Sequence, residues 1–379
     1  MTQVRLLVGT SKGGFILTSD ASRRRWEVSG PLFEGWEIYH LYASPAEPDH
    51  LWASLWTPWY GNLIRSSRDA GRTWQPAGST FELGPPLHTY KGLGGAPQTW
   101  RFRRVWRFAT PPPGSGGLGG PQALWAGAED AALFRSTDGG QSWQELPGLR
   151  QHPTHDAWEP GAGGLCLHTI RFDPTYPGRL FVAISAAGVF RSDDGGATWR
   201  PINRGLRAQH TAEPQPEAGY CVHGLALHPA RPGVLFLQKH PGVYRSDDAG
   251  EHWRNISEGL PSSFGFPIVV HAHQPDTVYV VPMKDDERHF PIDGALKVWR
   301  TRDGGASWEP LSAGLPDRHF YGNVLRGAMA VDTADPCGLY LGTTTGELYA
   351  SRDGGDSWEP IMSHLPRVLS LEACVVEAG

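Results

Sequence analysis

One phrase returns along the chain at nearly fixed intervals and limits what it can fold into. It reads IRSSRDAGRTW up to Trp74, FRSTDGGQSW up to Trp143 and FRSDDGGATW up to Trp199. It comes again as YRSDDAGEHW up to Trp253, WRTRDGGASW up to Trp308 and YASRDGGDSW up to Trp358. A worn copy, FILTSDASRRRW, ends at Trp26, and the successive Trp spacings are 48, 69, 56, 54, 55 and 50. Each interval holds one four-stranded sheet with its loops, and a period of this length points to repeated sheets. The phrase has a mechanical reading. An apolar residue ends a strand, and Ser/Thr-x-Asp enters a turn where both side chains can bond local backbone N–H groups. Glycines such as Gly140, Gly196 and Gly305 give the turn its backbone freedom. The closing Trp folds back and buries its ring.

The flanks repeat as well. In LHTIRFDPTYPGRLFVAISAAGVFRSDDGGATWRPI the strands are A (Leu167–Phe172), B (Leu180–Ser185), C (Val189–Ser192) and D (Thr198–Ile202), with a Pro/Gly turn between A and B. The order recurs from Tyr220, Phe266 and Val324, and less cleanly from Ile38 and Arg104. The chain opens on a B-like strand, Val4–Val8, and carries an unpartnered apolar strand, Val368–Val376, after the last copy. Pairing the two gives a composite blade and leaves no open sheet edge. The expected fold is all-β: a single seven-bladed β-propeller domain over residues 1–379, with N-terminal strands B, C and D closed by a C-terminal strand A.

Gly (48) and Pro (33) are abundant among 379 residues, as many turns require, and 16 Trp argue against disorder. The net charge of -5 and the absence of a Lys/Arg run argue against a nucleic-acid or membrane partner. No apolar window is long enough for a span, and the first residues do not read as a secretory signal. Cys166, Cys221, Cys337 and Cys374 then read as reduced thiols, and the expected location is cytoplasmic.

Ser192-Asp193-Asp194-Gly195-Gly196-Ala197-Thr198-Trp199 resembles the Asp box, or BNR repeat, of sialidases, xyloglucanases, sortilin-type receptors and a photosystem assembly factor. The resemblance covers nearly the whole chain and implies the fold more than an activity, because those proteins do unrelated work. EPGAGGLCLH (Glu159–His168), CVHGL, FGFPI, GLYLGTTTG and LPRVLSLEA also resemble a bacterial group of single-propeller proteins described as glycosyl hydrolase-like or sialidase-like. Sialidases have six blades and an Arg-Ile-Pro signature. This chain has seven repeats and no Arg-Ile-Pro, so standard sialidase turnover is not expected.

Strand alternation puts the boxes and A–B turns on one face and the D–A and B–C connections on the other. The second face receives the long segments Phe81–Phe102, Gln144–Gly164, Pro201–Ala218, Ser257–Gly265 and Ser312–Gly322. Loops of this length are usually functional. The A strands begin there with polar residues where small or β-branched ones would suffice. The expected ligand site is the loop-face mouth of an axial channel, made by Tyr39, His40, Arg107, His168, His223, His240, Arg326 and Glu372. His168, His223 and Glu372 are the candidate catalytic groups, and Arg107 and Arg326 would favour an anion. The bland alternative is that these groups satisfy one another in a wet channel.

Cys166-x-His168 and Cys221-x-His223 sit at equivalent places on consecutive blades. Two Cys and two His suit Zn²⁺. Equivalent positions point the same way around a ring rather than at one another, so no metal or other cofactor is expected. The expected function is binding of a polar or anionic small ligand, a carbohydrate among them, with sialidase-like, glycosyl hydrolase-like or lyase chemistry at that mouth. The alternative is a scaffold that binds a protein partner.

Overall fold

The computed structural model describes residues 2–92, 95–115, 118–208 and 215–377. Residues 93–94 and 209–214, inside two of the long loops named above, lie outside the described residues. The strands form seven four-stranded antiparallel sheets, the blades of a seven-bladed β-propeller. In A-to-D order the first blade is Glu37–Ala43, Leu51–Thr57, Gly61–Ser67 and Gln75–Pro76. The second is Arg104–Ala109, Leu124–Glu129, Leu133–Ser136 and Gln144–Glu145. The third is Leu167–Phe172, Leu180–Ile184, Gly188–Ser192 and Arg200–Pro201. The fourth is Val222–Leu227, Leu235–Lys239, Gly242–Ser246 and Arg254–Asn255. The fifth is Phe264–Val270, Val278–Met283, Val298–Thr301 and Glu309–Leu311. The sixth is Met329–Val331, Leu339–Gly342, Leu348–Ser351 and Glu359–Met362. The composite blade joins Val368–Glu377 to Thr2–Thr10, Gly13–Asp20 and Glu27–Leu32, with Val4 opposite Val375 and Leu6 opposite Ala373.

The contacts divide the chain into two compact units. One comprises Met1–Thr57, Ser67–Trp74 and Ile256–Gly379, and the other Pro58–Ser66 and Gln75–Asn255. The core of the first unit stacks Leu6 and Val8 with Val281, Val298, Leu339, Leu341 and Val368. The second holds two clusters, one around Trp100, Trp125, Trp158 and Phe190 and one around Phe181, Leu225, Leu237 and Tyr244.

The six intact boxes share the hydrogen bonds of their Ser/Thr and Asp side chains, while the bond made by the Trp indole differs from box to box. In the third blade Ser192 Oγ donates to Asp194 Oδ1 (2.8 Å) and accepts from the Gly196 N–H (2.8 Å). Asp194 also accepts from the Thr198 N–H (2.9 Å) and Oγ1 (2.5 Å), and Trp199 Nε1 donates to Gly196 O (3.1 Å). The box is also tied to the A–B turn of its own blade: Gly195 N–H donates to Gly178 O (2.8 Å), Ala249 N–H to Gly233 O (2.8 Å) and Gly304 N–H to Asp276 O (2.9 Å). The second glycine meets the preceding blade. A Cβ on Gly250, at φ +90, would lie 2.3 Å from Ile202 Cδ1. Trp253 Nε1 donates to the Ile202 carbonyl at 2.6 Å. Each box is thus a hairpin clamp and a blade-to-blade joint together.

Several strand ends differ from the sequence expectation, most by one or two residues, and two differences have a clear physical reason. Strand D of the third blade is only Arg200–Pro201, because Thr198 and Trp199 are committed to the box. The sixth A strand begins at Met329 rather than Val324. The backbone before it turns, with Ala328 N–H on Leu325 O (2.9 Å), and Gly327 bridges in parallel to Ser370. Box Trp199, Trp253 and Trp358 are buried as expected, whereas Trp26, Trp74, Trp143 and Trp308 are half-buried.

Candidate functional site

A β-bulge recurs near the start of successive A strands. In the third blade Leu167 faces Ile184 and Thr169 faces Ala183, leaving His168 as the extra residue. The same count leaves Tyr39 over in the first blade, Trp106 in the second and His223 in the fourth. The fifth blade has an extra residue at Phe266-Pro267. A bulge inserts one residue and re-aims its side chain out of the strand's alternation. Every extra residue is aromatic, imidazole or part of a Phe-Pro pair, which a merely space-filling position does not require.

In the first unit, buried His40 donates from Nε2 to Glu372 Oε1 at 3.0 Å, and its ring stacks on Tyr42. Glu372 is the more accessible partner, with 23% of its side chain exposed. The carboxylate fixes the orientation of the buried imidazole ring. Arg326 lies over the ring of Phe266 at 6.0 Å, and His289 stacks on Phe264 at 5.2 Å. Tyr39 is half-buried beside His40 at the bulge.

In the second unit, Glu129 ends strand B of the second blade. Its Oε2 accepts from Trp106 Nε1 at 3.1 Å and pairs with Arg104 Nε at 3.2 Å. Buried Asp130 accepts from Arg103 Nε at 2.7 Å, which holds Arg103 above the usual guanidinium range against the opposing effect of burial. Arg107 follows the bulge, opposite Gly127, and is half-buried. The loop before this blade carries a hairpin, Thr89–Lys91 with Pro97–Thr99, and the loop after it a short helix, Pro147–Arg150. Arg150 is fully buried and locks the two together, donating to Glu145 Oε1 (2.6 Å), Pro86 O (2.8 Å) and Gly84 O (2.5 Å). Trp59 and Tyr60, in the B–C turn of the first blade, are strongly exposed, Trp59 at 86%.

The two Cys-x-His pairs have different surroundings. His168 Nε2 donates to Val222 O (3.0 Å) and its Nδ1 accepts from Thr169 Oγ1 (2.9 Å), so both ring nitrogens are engaged. Its proton therefore sits on Nε2, which suits a positioning role. His223 Nε2 lies 3.7 Å from Cys221 Sγ, and its ring stands edge-on to that of His240 at 4.5 Å. Cys166 and His168 stand outside this cluster. Lys239, adjacent to it, is fully buried and donates from Nζ to Arg207 O (2.7 Å) and to His240 O. Burial pushes the Lys239 ammonium down to about 7, against the pull of Cys221. Sequence reasoning passed over Trp106 and the environment of Lys239. The visible signal was a Trp and a Lys at strand ends where small residues would do.

The structure thus places Tyr39, His40, Arg326 and Glu372 in one unit and Arg107, His168, His223 and His240 in the other, and joins His40 to Glu372 and His223 to His240. Among the described residues no helix is long and apolar enough to cross a membrane.

Comparison with known proteins places these features in context. The BNR/Asp-box repeat model matches residues 134–145, and the model described as sortilin, neurotensin receptor 3 matches residues 187–324. The chain is 25% identical over 302 residues to an oligoxyloglucan-reducing end-specific xyloglucanase from Emericella nidulans, covering 71% of this chain and 33% of that protein. It is 27% identical over 329 residues to a xyloglucanase from a Paenibacillus species, covering 76% and 28%. The chain therefore spans about a third of the length of these curated relatives. Among solved structures it is similar to an ancestral GH74 enzyme, with TM-score 0.55 and 18% identity over 86% of this chain and 38% of the other. It is also similar to YCF48 bound to D1 peptide, with TM-score 0.51 and 18% identity over 86% and 85%. With six bonded Asp boxes and seven four-stranded blades, the chain is a seven-bladed β-propeller built of BNR/Asp-box repeats.

Proposed function

We propose that this chain is a carbohydrate-directed Asp-box propeller that binds a polar saccharide at the bulged ends of its A strands and supports hydrolytic chemistry there. The observation that carries the reading is the bulge repeated at one place in successive blades, each time lifting a large, mostly polar-tipped side chain out of the strand's alternation. Saccharides need hydrogen-bonding groups for their hydroxyls and aromatic faces for their C–H surfaces. In the second unit, Trp106, Arg107 and Glu129 supply both at one bulge. Trp106 Nε1 and Arg104 hold the Glu129 side chain in place, where it can bond a sugar hydroxyl or face positive charge developing on a sugar ring. In the first unit, His40 and Glu372 pair an imidazole with a carboxylate, groups that such chemistry uses. The likeness to xyloglucanases over more than two thirds of this chain favours a carbohydrate among polar ligands.

The test is calorimetric titration with xyloglucan oligosaccharides and a panel of other neutral and anionic oligosaccharides, paired with an assay for new reducing ends. Binding should appear in the wild type and fall about tenfold or more with Trp106→Ala or Glu129→Gln, the loss of one or two good contacts. Release of reducing ends should fall with Glu372→Gln. If no saccharide binds, or if Trp106→Ala and Glu129→Gln bind as the wild type does, the reading fails and a protein-binding scaffold takes its place.

A further inference from the structure

We propose that Cys221, His223 and His240 form a site for a divalent transition metal of the zinc class, with one coordination position left open. Their donor atoms all lie within 4.8 Å of one another. Bonds of about 2.3 Å to sulfur and about 2.05 Å to nitrogen put the two donors about 3.6 Å apart in a tetrahedral site. Cys221 Sγ and His223 Nε2 are 3.7 Å apart. The imidazoles of His223 and His240 meet edge-on at 84° rather than stacked, which leaves both rings able to aim a nitrogen at a common point.

The backbone assembles the site before any ion arrives. Val222 is paired with Lys239 across the A and B strands of the fourth blade, and the bulge then releases His223 from the strand's alternation. His240 N–H donates to Cys221 O at 3.1 Å, fixing the turn that carries the third donor against the residue that carries the first. Ser185 Oγ sits 3.9 Å from Cys221 Sγ and can donate to a thiolate, the outer support that metal-bound sulfur commonly has. Gly161 faces the same sulfur, where even a Cβ would stand off at 3.8 Å.

The donor set selects the ion. A thiol and two imidazoles with no carboxylate do not suit Mg²⁺ or Ca²⁺, which take oxygen, and do suit zinc-class metals. Three protein ligands leave the fourth place for water or a ligand atom. The third blade serves as an internal contrast. There Ser185 N–H donates to Cys166 O at 3.0 Å, so Ser185 holds the place that His240 holds in the fourth blade. With a serine there and His168 Nε2 bonded to Val222 O, that blade does not assemble the third donor.

The proposal does not depend on saccharide binding, and its test uses other residues. The full chain, stripped of metal and kept reduced, is titrated with Co²⁺ and followed by absorption. One equivalent should bind, with thiolate-to-metal charge transfer and tetrahedral d–d bands that Zn²⁺ then abolishes. Cys221→Ser should remove the charge-transfer band. His240→Gln, in a half-exposed turn and so able to fold, should weaken binding about tenfold or more. Cys166→Ser should leave both unchanged. Absence of stoichiometric Co²⁺ binding by the wild type, or binding unchanged by either Cys221→Ser or His240→Gln, overturns the proposal.

Discussion

Replacing Arg23 by methionine should be among the most damaging single changes outside the apolar core. Arg23 belongs to the worn box of the composite blade, and its Nη1 pairs with Asp332 Oδ2 at 3.0 Å; the two side chains are 3% and 0% exposed. Asp332 lies just beyond the sixth A strand and is otherwise satisfied by neutral donors. Gly338 N–H (2.9 Å) and Ala334 N–H (3.0 Å) reach Oδ1, and the Tyr340 hydroxyl (2.6 Å) reaches Oδ2. Burial works against the Arg23 charge, but the Asp332 carboxylate holds its pKa above the ordinary value. Burial and then Asp332 push the Tyr340 phenol upward, so it stays a donor. Removing the cation from a pair buried this deeply leaves a carboxylate shut away from water, at a cost of about 3–5 kcal/mol. With an unfolding entropy of about 2.1 cal/mol/K per residue, the 379-residue chain should melt about 4–6 °C lower. The assay is calorimetric and urea unfolding of the wild type, Arg23→Met, Asp332→Asn and the double variant. The double variant should recover part of the loss, because asparagine keeps the acceptor without the charge. A loss below about 1 kcal/mol for Arg23→Met would refute the reasoning, since a buried uncompensated charge cannot be that cheap.

Other consequences are open to direct measurement. Removing Val368–Glu377 strips the strand paired with Thr2–Thr10, so the shortened chain should unfold or aggregate; an unchanged melting temperature would count against this. The box aspartates set an acid limit. Hydrogen bonds from Ser307 and Thr301 bring Asp303 from 3.8 to about 2, and those from Ser136 and Ser142 do the same for Asp138 against the effect of burial. A depressed folded-state value means their contribution is present above pH 3.8 and is lost as pH falls through about 2. An Asp138→Asn/Asp303→Asn double variant should therefore show a flatter decline across that window, and an identical acid limb would contradict the assignment. Purified protein should release no sialic acid from standard sialidase substrates. Robust release, abolished by Glu372→Gln, would overturn that expectation.

What could be read in the sequence was what is decided locally. The box is a ten-residue device whose bonds run from Ser192 to Asp194 and on to Thr198, so its letters carry its geometry. The partnership of the first and last strands was also legible, because each apolar run lacked a local mate. The bulges were not. An extra residue in a strand looks like any other until its opposite number is known, and Trp106 gained meaning only when Arg104 faced Glu129 and Arg107 faced Gly127. Nor could sequence separate the two Cys-x-His pairs. Their difference lies in what the B–C turn brings back, Ser185 in one blade and His240 in the next, through the same backbone hydrogen bond. The late start of the sixth A strand was hidden for a related reason: Gly327 gives its backbone to Ser370 of the composite blade rather than to its own sheet.

The composite blade also fixes a clock. Thr2 and Glu377, hydrogen-bonded at 3.1 Å, are 375 positions apart. At about 5–20 residues per second, a ribosome takes roughly 20–75 s between making one and the other. Through that interval the Thr2–Thr10 strand has its hairpin partner on one side and no mate on the other. The nascent chain must therefore keep that edge from strangers, and slower translation lengthens its exposure.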